Sequence, residues 1–282
     1  MPQTDTLAMI TAGLTDVGRM RARNEDSFGI EPDLGLALVC DGMGGHAGGD
    51  IASRTATDTI VDFLAEFVPA GGQGAGGRGA GGAAAGMDAE LTLSGDGGIE
   101  AAVQNAVATV RSAVQVANRR LAVLNAERGY PDGRGMGTTV VGTWRLDGSD
   151  RLVAFHAGDS RLYRLRGGEL AQLTRDHSLY QVWLDQGSRG PAPQRNIIVR
   201  ALGTTQEVEP DVSVHGVRAD DIYLLCSDGL TGMLPDPAIA AILRDTGRGD
   251  LDAACRHLVT LANERGGHDN ITVVLSRFDA VG

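Results

Sequence analysis

The 282-residue sequence contains no lysine, so arginine carries all of its permanent positive charge. The formal net charge is −11, which argues against a protein that binds nucleic acid through phosphate contacts. No apolar run is long enough to span a membrane, and the N-terminal residues lack the basic and apolar segments of a signal peptide. The three cysteines are odd in number and lack metal-ligand spacing, which favours a reducing compartment. We therefore expect a cytoplasmic protein without a membrane segment.

One short stretch, Leu36 to Asp50, joins an apolar run to an aspartate and many glycines. Residues 36–40 are apolar and bounded by turn residues, which predicts a buried strand ending at Asp41. A carboxylate there costs free energy unless a cation or a hydrogen-bond donor meets it. The glycines after it let the backbone approach a ligand closely. The alternative is a glycine-rich turn whose aspartate caps the next helix.

Two further aspartates stand at the ends of apolar runs. Residues 222–226 lead into Asp228-Gly229, and Asp269 comes just before the apolar run 271–275. Aspartates at several strand ends provide the oxygen ligands that a hard divalent cation requires. This repetition favours a metal site over an isolated turn.

The rest of the pattern predicts pairs of helices among many short strands. Helical spacing of apolar residues begins after Asp50, the expected N-cap, and recurs at about 99–124, 236–245 and 250–265. Residues 197–202 are among the predicted strands. The glycine-rich residues at about 70–98 are predicted to be a flexible insertion, because they offer little apolar surface to bury. We expect one domain over residues 1–282, of the α+β class with antiparallel sheets.

The candidate metal ligands are all carboxylates, which suits Mg²⁺ or Mn²⁺ better than zinc or copper. Two such ions about 3.5–4 Å apart can activate a water for in-line attack on phosphorus. A nearby arginine can bind two phosphoryl oxygens. The six histidines are scattered and form no zinc pattern. The candidate ligands are Asp41, Asp159, Asp228 and Asp269, with Glu25 and Asp26 also available.

Eight short motifs follow one another in an order that is itself informative. In chain order they are Arg21-x-x-x-Glu25-Asp26, Asp41-Gly42-Met43-Gly44-Gly45-His46, Gly137-Thr138-Thr139, Gly158-Asp159-Ser160-Arg161, Asp176-His177-Ser178, Arg200-Ala201-Leu202-Gly203, Cys226-Ser227-Asp228-Gly229-Leu230 and Asp269-Asn270-Ile271-Thr272. Over about residues 10–277 the sequence thereby resembles the bacterial metal-dependent Ser/Thr protein phosphatases of type 2C, the PPM family. The resemblance implies a β-sandwich of two antiparallel sheets flanked by helices, with the metals at one end.

The resemblance also implies a ligand set. Asp41 would bridge two Mn²⁺ or Mg²⁺ ions, and the Gly42 carbonyl would bind the second of them. Asp228 and Asp269 would bind the first ion. Asp159, together with Asp228, would hold a looser third ion. Asp41 and Asp228 are thus expected to be catalytic as well as metal-binding residues.

The same resemblance implies that Arg21 is a catalytic residue that binds the phosphate of the substrate. Glu25 and Asp26 would hold metal-bound waters. The general acid stays open. Eukaryotic members carry a histidine directly after the Asp-Gly pair, where this sequence has Met43. His46 is either a proton donor or a residue that stabilises its loop, and a metal-bound water is a further alternative.

The resemblance implies hydrolysis of phosphoserine and phosphothreonine on proteins that a bacterial Ser/Thr kinase phosphorylates. We expect the protein to act as a monomer. Two rival interpretations stay open. One is a catalytically idle metal-binding module that reads phosphorylated partners, and the other is a phosphatase of anti-sigma antagonists. The proline-containing residues 186–195 lie where relatives carry a mobile flap, and they are either a substrate-selecting flap or an ordinary loop.

Overall fold

The computed structural model describes residues 7–44, 48–67, 96–131 and 134–281. These residues form eleven strands and six α-helices. The strands are β1 Leu7–Asp16, β2 Asp26–Glu31, β3 Leu36–Met43, β4 Gly137–Thr138, β5 Val140–Arg145, β6 Arg151–Ala157, β7 Arg161–Arg166, β8 Glu169–Gln172, β9 Asp211–Gly216, β10 Ile222–Cys226 and β11 Ile271–Ala280. The helices are α1 Gly49–Ala65, α2 Asp96–Glu127, α3 Leu179–Asp185, α4 Asp228–Thr231, α5 Asp236–Thr246 and α6 Leu251–Glu264.

The strands form two antiparallel sheets. The first has the order β1-β11-β10-β7-β8, and the second has the order β2-β3-β5-β6-β9, with β4 paired to β3. A cluster of buried residues from both sheets, including Val39, Val141, Leu225 and Val274, fills the space between them. The predicted α+β fold, a sandwich of two antiparallel sheets flanked by helices, is confirmed.

Each sheet buries its outer face under a pair of helices. The second sheet is covered by α1 and α2, and the first by α5 and α6. The reason for α1 is visible in its sequence, because Ala52, Ala56, Ile60 and Leu64 recur every four residues and are fully buried. The molecule is thus layered as helices, sheet, sheet and helices.

Three details differ from the sequence-based expectation. Gly48, in a left-handed conformation, is the N-cap of α1, so Asp50 lies inside the first turn. Residues 197–202 form only isolated bridges, through Ile198 and Leu202, and no strand. The strand β9 was not predicted; four of its six residues are polar or glycine, so its alternation is weak.

The predicted glycine-rich insertion at about 70–98 falls mostly on residues 68–95, which lie outside the described residues. α2 begins at Asp96, slightly before the predicted end of that insertion. The description of residues 1–282 as a single domain stays a prediction. Among the described residues, no helix is long and apolar enough to cross a membrane.

Candidate active site

The pleat of the strands decides which acids face the space between the sheets. On β3, Leu36, Leu38 and Cys40 pack under the helices, whereas Ala37 and Val39 face the other sheet. Side chains alternate along a strand, so Asp41 follows Val39 on the inner face. Asp26 lies directly opposite Asp41 in the pairing of β2 with β3. Two acids therefore meet at one end of the sandwich.

Asp26 ties this pair to the opposite sheet. Its Oδ2 accepts hydrogen bonds from the hydroxyls of Ser227, at 2.8 Å, and Thr272, at 2.6 Å. Ser227 immediately precedes Asp228, and Thr272 lies three residues after Asp269. These bonds hold the ends of β10 and β11 beside β2 and β3.

Asn270 connects the Asp269 loop to the N-terminal loop. Its side-chain amide donates to the carbonyls of Val17, at 2.9 Å, and Arg23, at 2.8 Å, while its Oδ1 accepts from the backbone N–H of Glu25. Asp269 itself accepts a hydrogen bond from Arg21 at 2.7 Å. Arg21 and Asp269 are both partly exposed, so this ion pair lies at the rim of the site.

Thr139 connects Asp41 to the Asp159 loop. The Thr139 hydroxyl accepts a hydrogen bond from the backbone N–H of Asp41 at 3.0 Å. The backbone N–H of Thr139 donates to the Asp41 carbonyl. The same hydroxyl lies 2.7 Å from that of Ser160, next to Asp159. Both hydroxyls are buried, which fixes the two acidic loops relative to each other.

Gly42 and Glu25 lie against the start of α1. The Gly42 N–H donates to the Glu25 carbonyl at 3.1 Å. A Cβ at Gly42 would collide with the carbonyl oxygens of Gly49 and Glu25, and a Cβ at Gly49 would meet the Glu25 carboxylate. Only a glycine fits between these two backbone segments.

Burial and mutual repulsion raise the pKa values of the inner acids. Burial raises the pKa of Asp26 and of Asp159 to about 7, and that of Asp228 to about 6. The pKa of Asp41 is raised well above its ordinary value, first by burial and then by the charges of Asp26, Asp228, Asp159 and Asp269. Without cations, these acids therefore bind protons more readily than an exposed aspartate does.

The residues present fit a centre for hard divalent cations. Asp26 Oδ1 and Asp159 Oδ1 are buried and, within the described part of the chain, have no hydrogen-bond partner. Such atoms are costly unless a cation or a water meets them. All the side-chain donors are oxygens, the preference of Mg²⁺ and Mn²⁺. The structure thus brings together Asp26, Asp41, Asp159, Asp228 and Asp269, with Arg21 and Glu25 at the edge.

The most compact group of potential metal-ligating side chains does not consist of the predicted acids. Among described residues, the group whose ligand atoms all lie within 4.8 Å of one another is His156, His177 and Asp211, none of them a predicted ligand. The predicted acids are spread more widely around their shared space. His46, the candidate proton donor, lies outside the described residues, and Met43 ends β3 opposite Gly137.

An α-β-β-α sandwich with converging acids at one end is the architecture of a metal-dependent phosphatase. The family described as protein phosphatase 2C matches residues 19–254. The serine/threonine phosphatase stp of Listeria monocytogenes is 35% identical over 273 residues, covering 94% of each chain. The chain belongs to the protein phosphatase 2C family.

A mycobacterial relative gives the structural comparison. The serine/threonine protein phosphatase PstP of Mycobacterium tuberculosis is 34% identical over 276 residues, which are 96% of this chain but 45% of that protein. The chain thus spans less than half the length of PstP. A crystal structure of PstP covers 97% of this chain and 100% of its own, with a TM-score of 0.75 and 32% identity. Another, of the PstP catalytic domain in complex with two manganese ions, has a TM-score of 0.73.

Sequence reasoning missed the neutral residues that hold the acids in place. Thr139, Ser227, Asn270 and Thr272 occur in the motifs, yet no role was predicted for them. For Ser227, Asn270 and Thr272 the available signal was their position, one to three residues from a candidate ligand, whereas Thr139 lies far from every candidate ligand in the sequence. The proximity of His156 and His177, 21 residues apart in the sequence, had no signal at all.

Proposed function

We propose that this chain hydrolyses phosphoserine and phosphothreonine on proteins, using water activated by two Mn²⁺ or Mg²⁺ ions. The observation that carries the proposal is the convergence of five acids from separate loops, four of them with raised pKa values. The raised pKa values mean that these acids favour a compensating positive charge, which divalent cations would supply. The relatives' names as Ser/Thr phosphatases support the same reaction.

The proposed ligands divide by position. Asp41, on the inner face at the end of β3, would bridge the two ions, and the Gly42 carbonyl would bind the second. Asp228 and Asp269, joined to Asp26 through Ser227 and Thr272, would bind the first. Bound ions would supply a water of lowered pKa that attacks phosphorus. Asp159 would contribute to a looser third ion.

The protein's other side chains would orient the substrate and the water. Arg21 lies at the exposed rim, where its guanidinium can bind two phosphoryl oxygens. Its ion pair with Asp269 keeps the guanidinium beside the acids until substrate arrives. Glu25, next to Gly49, and Asp26, with its unpaired Oδ1, would accept hydrogen bonds from waters in the site.

The proposed substrates are phosphorylated proteins, among them products of a bacterial Ser/Thr kinase, acted on by a monomer. A reducing compartment such as the cytoplasm is supported by three free, buried cysteines. The residues 186–195 follow α3 on the surface, where Arg195 stacks on Tyr180 and donates to its hydroxyl.

The replacement of Asp41 by asparagine tests the proposed reaction. Asp41→Asn keeps the side-chain shape but removes the bridging charge, so we expect turnover of a phosphothreonine peptide to fall more than about 100-fold, beyond the effect of outer-shell changes. Calorimetry should show weaker Mn²⁺ binding. Asp33→Asn, at an exposed site, is the control and should leave both unchanged.

Two results would contradict the proposal. Wild-type turnover that persists in EDTA would exclude dependence on divalent ions. Mn²⁺ binding by the wild type without any release of phosphate from phosphopeptides would favour the idle, phosphoprotein-reading module instead.

A further inference from the structure

A second polar cluster lies behind the Asp159 loop. The rings of His156 and His177 stack with their centroids 4.5 Å apart, and His177 Nε2 lies 3.3 Å from Asp211 Oδ2. Arg200 forms an ion pair with the other oxygen of Asp211. The proposed reaction gives none of these four residues a role.

His177 contacts Gly158, the residue before Asp159, at two points. The His177 backbone N–H donates to the Gly158 carbonyl at 2.8 Å. In the opposite direction, the Gly158 N–H donates to His177 Nδ1 at 3.1 Å. One histidine thus satisfies both backbone polar groups of Gly158, in a buried turn.

These hydrogen bonds determine the tautomer of His177. Because Nδ1 accepts the Gly158 N–H, it carries no proton, so the proton of the neutral ring lies on Nε2 and is donated to Asp211. Burial, with the nearby His156 and Arg200, lowers the pKa of His177 to about 4, which keeps the ring neutral. Since neither nitrogen of His177 offers a free lone pair, His156, His177 and Asp211 do not form a metal site. His177 links Gly158 to Asp211 by hydrogen bonds, whereas His156 stacks on its ring and pairs with the Arg175 carbonyl.

The other side of Gly158 is closed by Thr139. Gly158 has a φ of +128°, and a Cβ there would lie 2.5 Å from the Thr139 Cβ. Thr139 also holds the backbone of Asp41. The turn carrying Asp159 is therefore enclosed between a residue fixed to Asp41 and the imidazole of His177.

We propose that His177 is a positioning residue that holds Gly158, and through it the Asp159 carboxylate, in place to bind the looser divalent ion. Asp211, fixed by Arg200, sets the required tautomer of His177. The role of Asp159 in this inference rests on the proposed function. The restraint of Gly158 rests on the hydrogen bonds alone.

The test compares His177→Ala with His177→Asn. Asparagine Oδ1 can take the place of Nδ1 as an acceptor for the Gly158 N–H, whereas alanine cannot. For His177→Ala we expect the Mn²⁺ concentration that gives half-maximal turnover to rise by about 10–100-fold, as for other outer-shell residues, with little change in KM for the phosphopeptide. His177→Asn should recover most of the loss. His215→Ala, on β9 and bonded to Ser213, is the matched control.

A second measurement does not depend on activity. In the metal-free protein, NMR should show the Gly158 amide protected from hydrogen exchange, and the His177 ring with its proton on Nε2. His177→Ala should exchange at Gly158 at least about tenfold faster, and His177→Asn should stay near the wild type. If the alanine variant misfolds, the asparagine variant and the wild-type tautomer still provide the test.

The outcomes separate the two proposals. Unchanged Mn²⁺ dependence in His177→Ala, or a proton on Nδ1 in the wild type, would overturn the positioning role. An asparagine variant as impaired as the alanine variant would do the same. Absence of Mn²⁺-dependent turnover in the wild type, with Gly158 protected as expected, would instead refute the proposed function.

Discussion

At Gly42, the addition of a single methyl group is expected to disturb the site strongly. Its Cα packs between the carbonyls of Gly49 and Glu25, which belong to α1 and the N-terminal loop. An alanine methyl would have to push apart two backbone segments, and backbone cannot move away as a long side chain can. Because the neighbouring residue is Asp41, such a displacement would change the position of the acid that is proposed to bridge the two ions.

We therefore expect Gly42→Ala to lower the free energy of unfolding by about 1–3 kcal/mol, as overpacking does, and to reduce turnover strongly. Gly216→Ala is the matched control, since its Cβ would meet only the ends of two side chains, Arg151 at 3.3 Å and Asp150 at 4.0 Å. Urea unfolding and phosphopeptide turnover measure the two effects. Normal values of both for Gly42→Ala would mean that the gap beside Gly49 is wider than the structure shows.

At the scale of elements, α2 does more than cover the second sheet. Its buried Asn125 donates to the carbonyls of Met136 and Gly203 and accepts from the Met136 N–H at 2.8 Å. Asn118, two turns earlier, accepts from the Gly203 N–H in the same way. The helix thus provides the hydrogen bonds for irregular segments that lead into Gly137–Thr139, the residues that hold Asp41.

Asn125→Ala should leave three buried backbone groups without a partner. At about 1–3 kcal/mol for each unsatisfied group, with partial relief by water, we expect a loss of about 3 kcal/mol in the free energy of unfolding. Asn105→Ala, at an exposed position of the same helix, should change it by less than about 0.5 kcal/mol. Equal effects of the two substitutions in urea unfolding would show that α2 does not support these segments.

The helices and strands also show which parts of the structure could be predicted from the sequence. The strand β3, which carries Asp41, and the strand β10, which leads to Asp228, were predictable, because an Asp-Gly pair follows each apolar run. β9 was not, because it forms by pairing with β6 and none of its residues is buried. The strand predicted at residues 197–202 was wrong for the opposite reason. Ile197 and Val199 are apolar, as in a buried strand, but they are exposed. The acids were predictable from residue type, whereas the hydroxyls and amides that position them depend on contacts between distant segments.

The whole molecule should show a pH dependence set by its acids. In the metal-free protein, Asp26 and Asp159 have pKa values of about 7 and Asp228 of about 6, against an ordinary 3.8. Between about pH 4 and pH 7 the folded state therefore binds more protons than the unfolded chain. Stability consequently falls as pH rises through this window and is level above it.

Divalent ions should reverse this dependence, because ions held by the proposed ligands would favour the ionised acids and release their protons. We expect the Tm of the metal-free protein to be lower at about pH 8 than at about pH 5.5, and the Tm increase caused by Mn²⁺ to be larger at the higher pH. Thermal unfolding with EDTA and with Mn²⁺ at both values tests this. A metal-free Tm that rises with pH would show that the acids are already ionised in the folded protein.

The first sheet joins the two ends of the described chain. β1, at residues 7–16, pairs along its whole length with β11, at residues 271–280, and β11 also separates β1 from β10. Arg21 and Asp26 are synthesised early, yet Asp269 and Thr272, which contact them, emerge from the ribosome some 250 residues later. While the chain is being translated, β1 has no neighbouring strand and the acidic centre lacks one wall. The acidic centre is therefore incomplete until β11 has been synthesised.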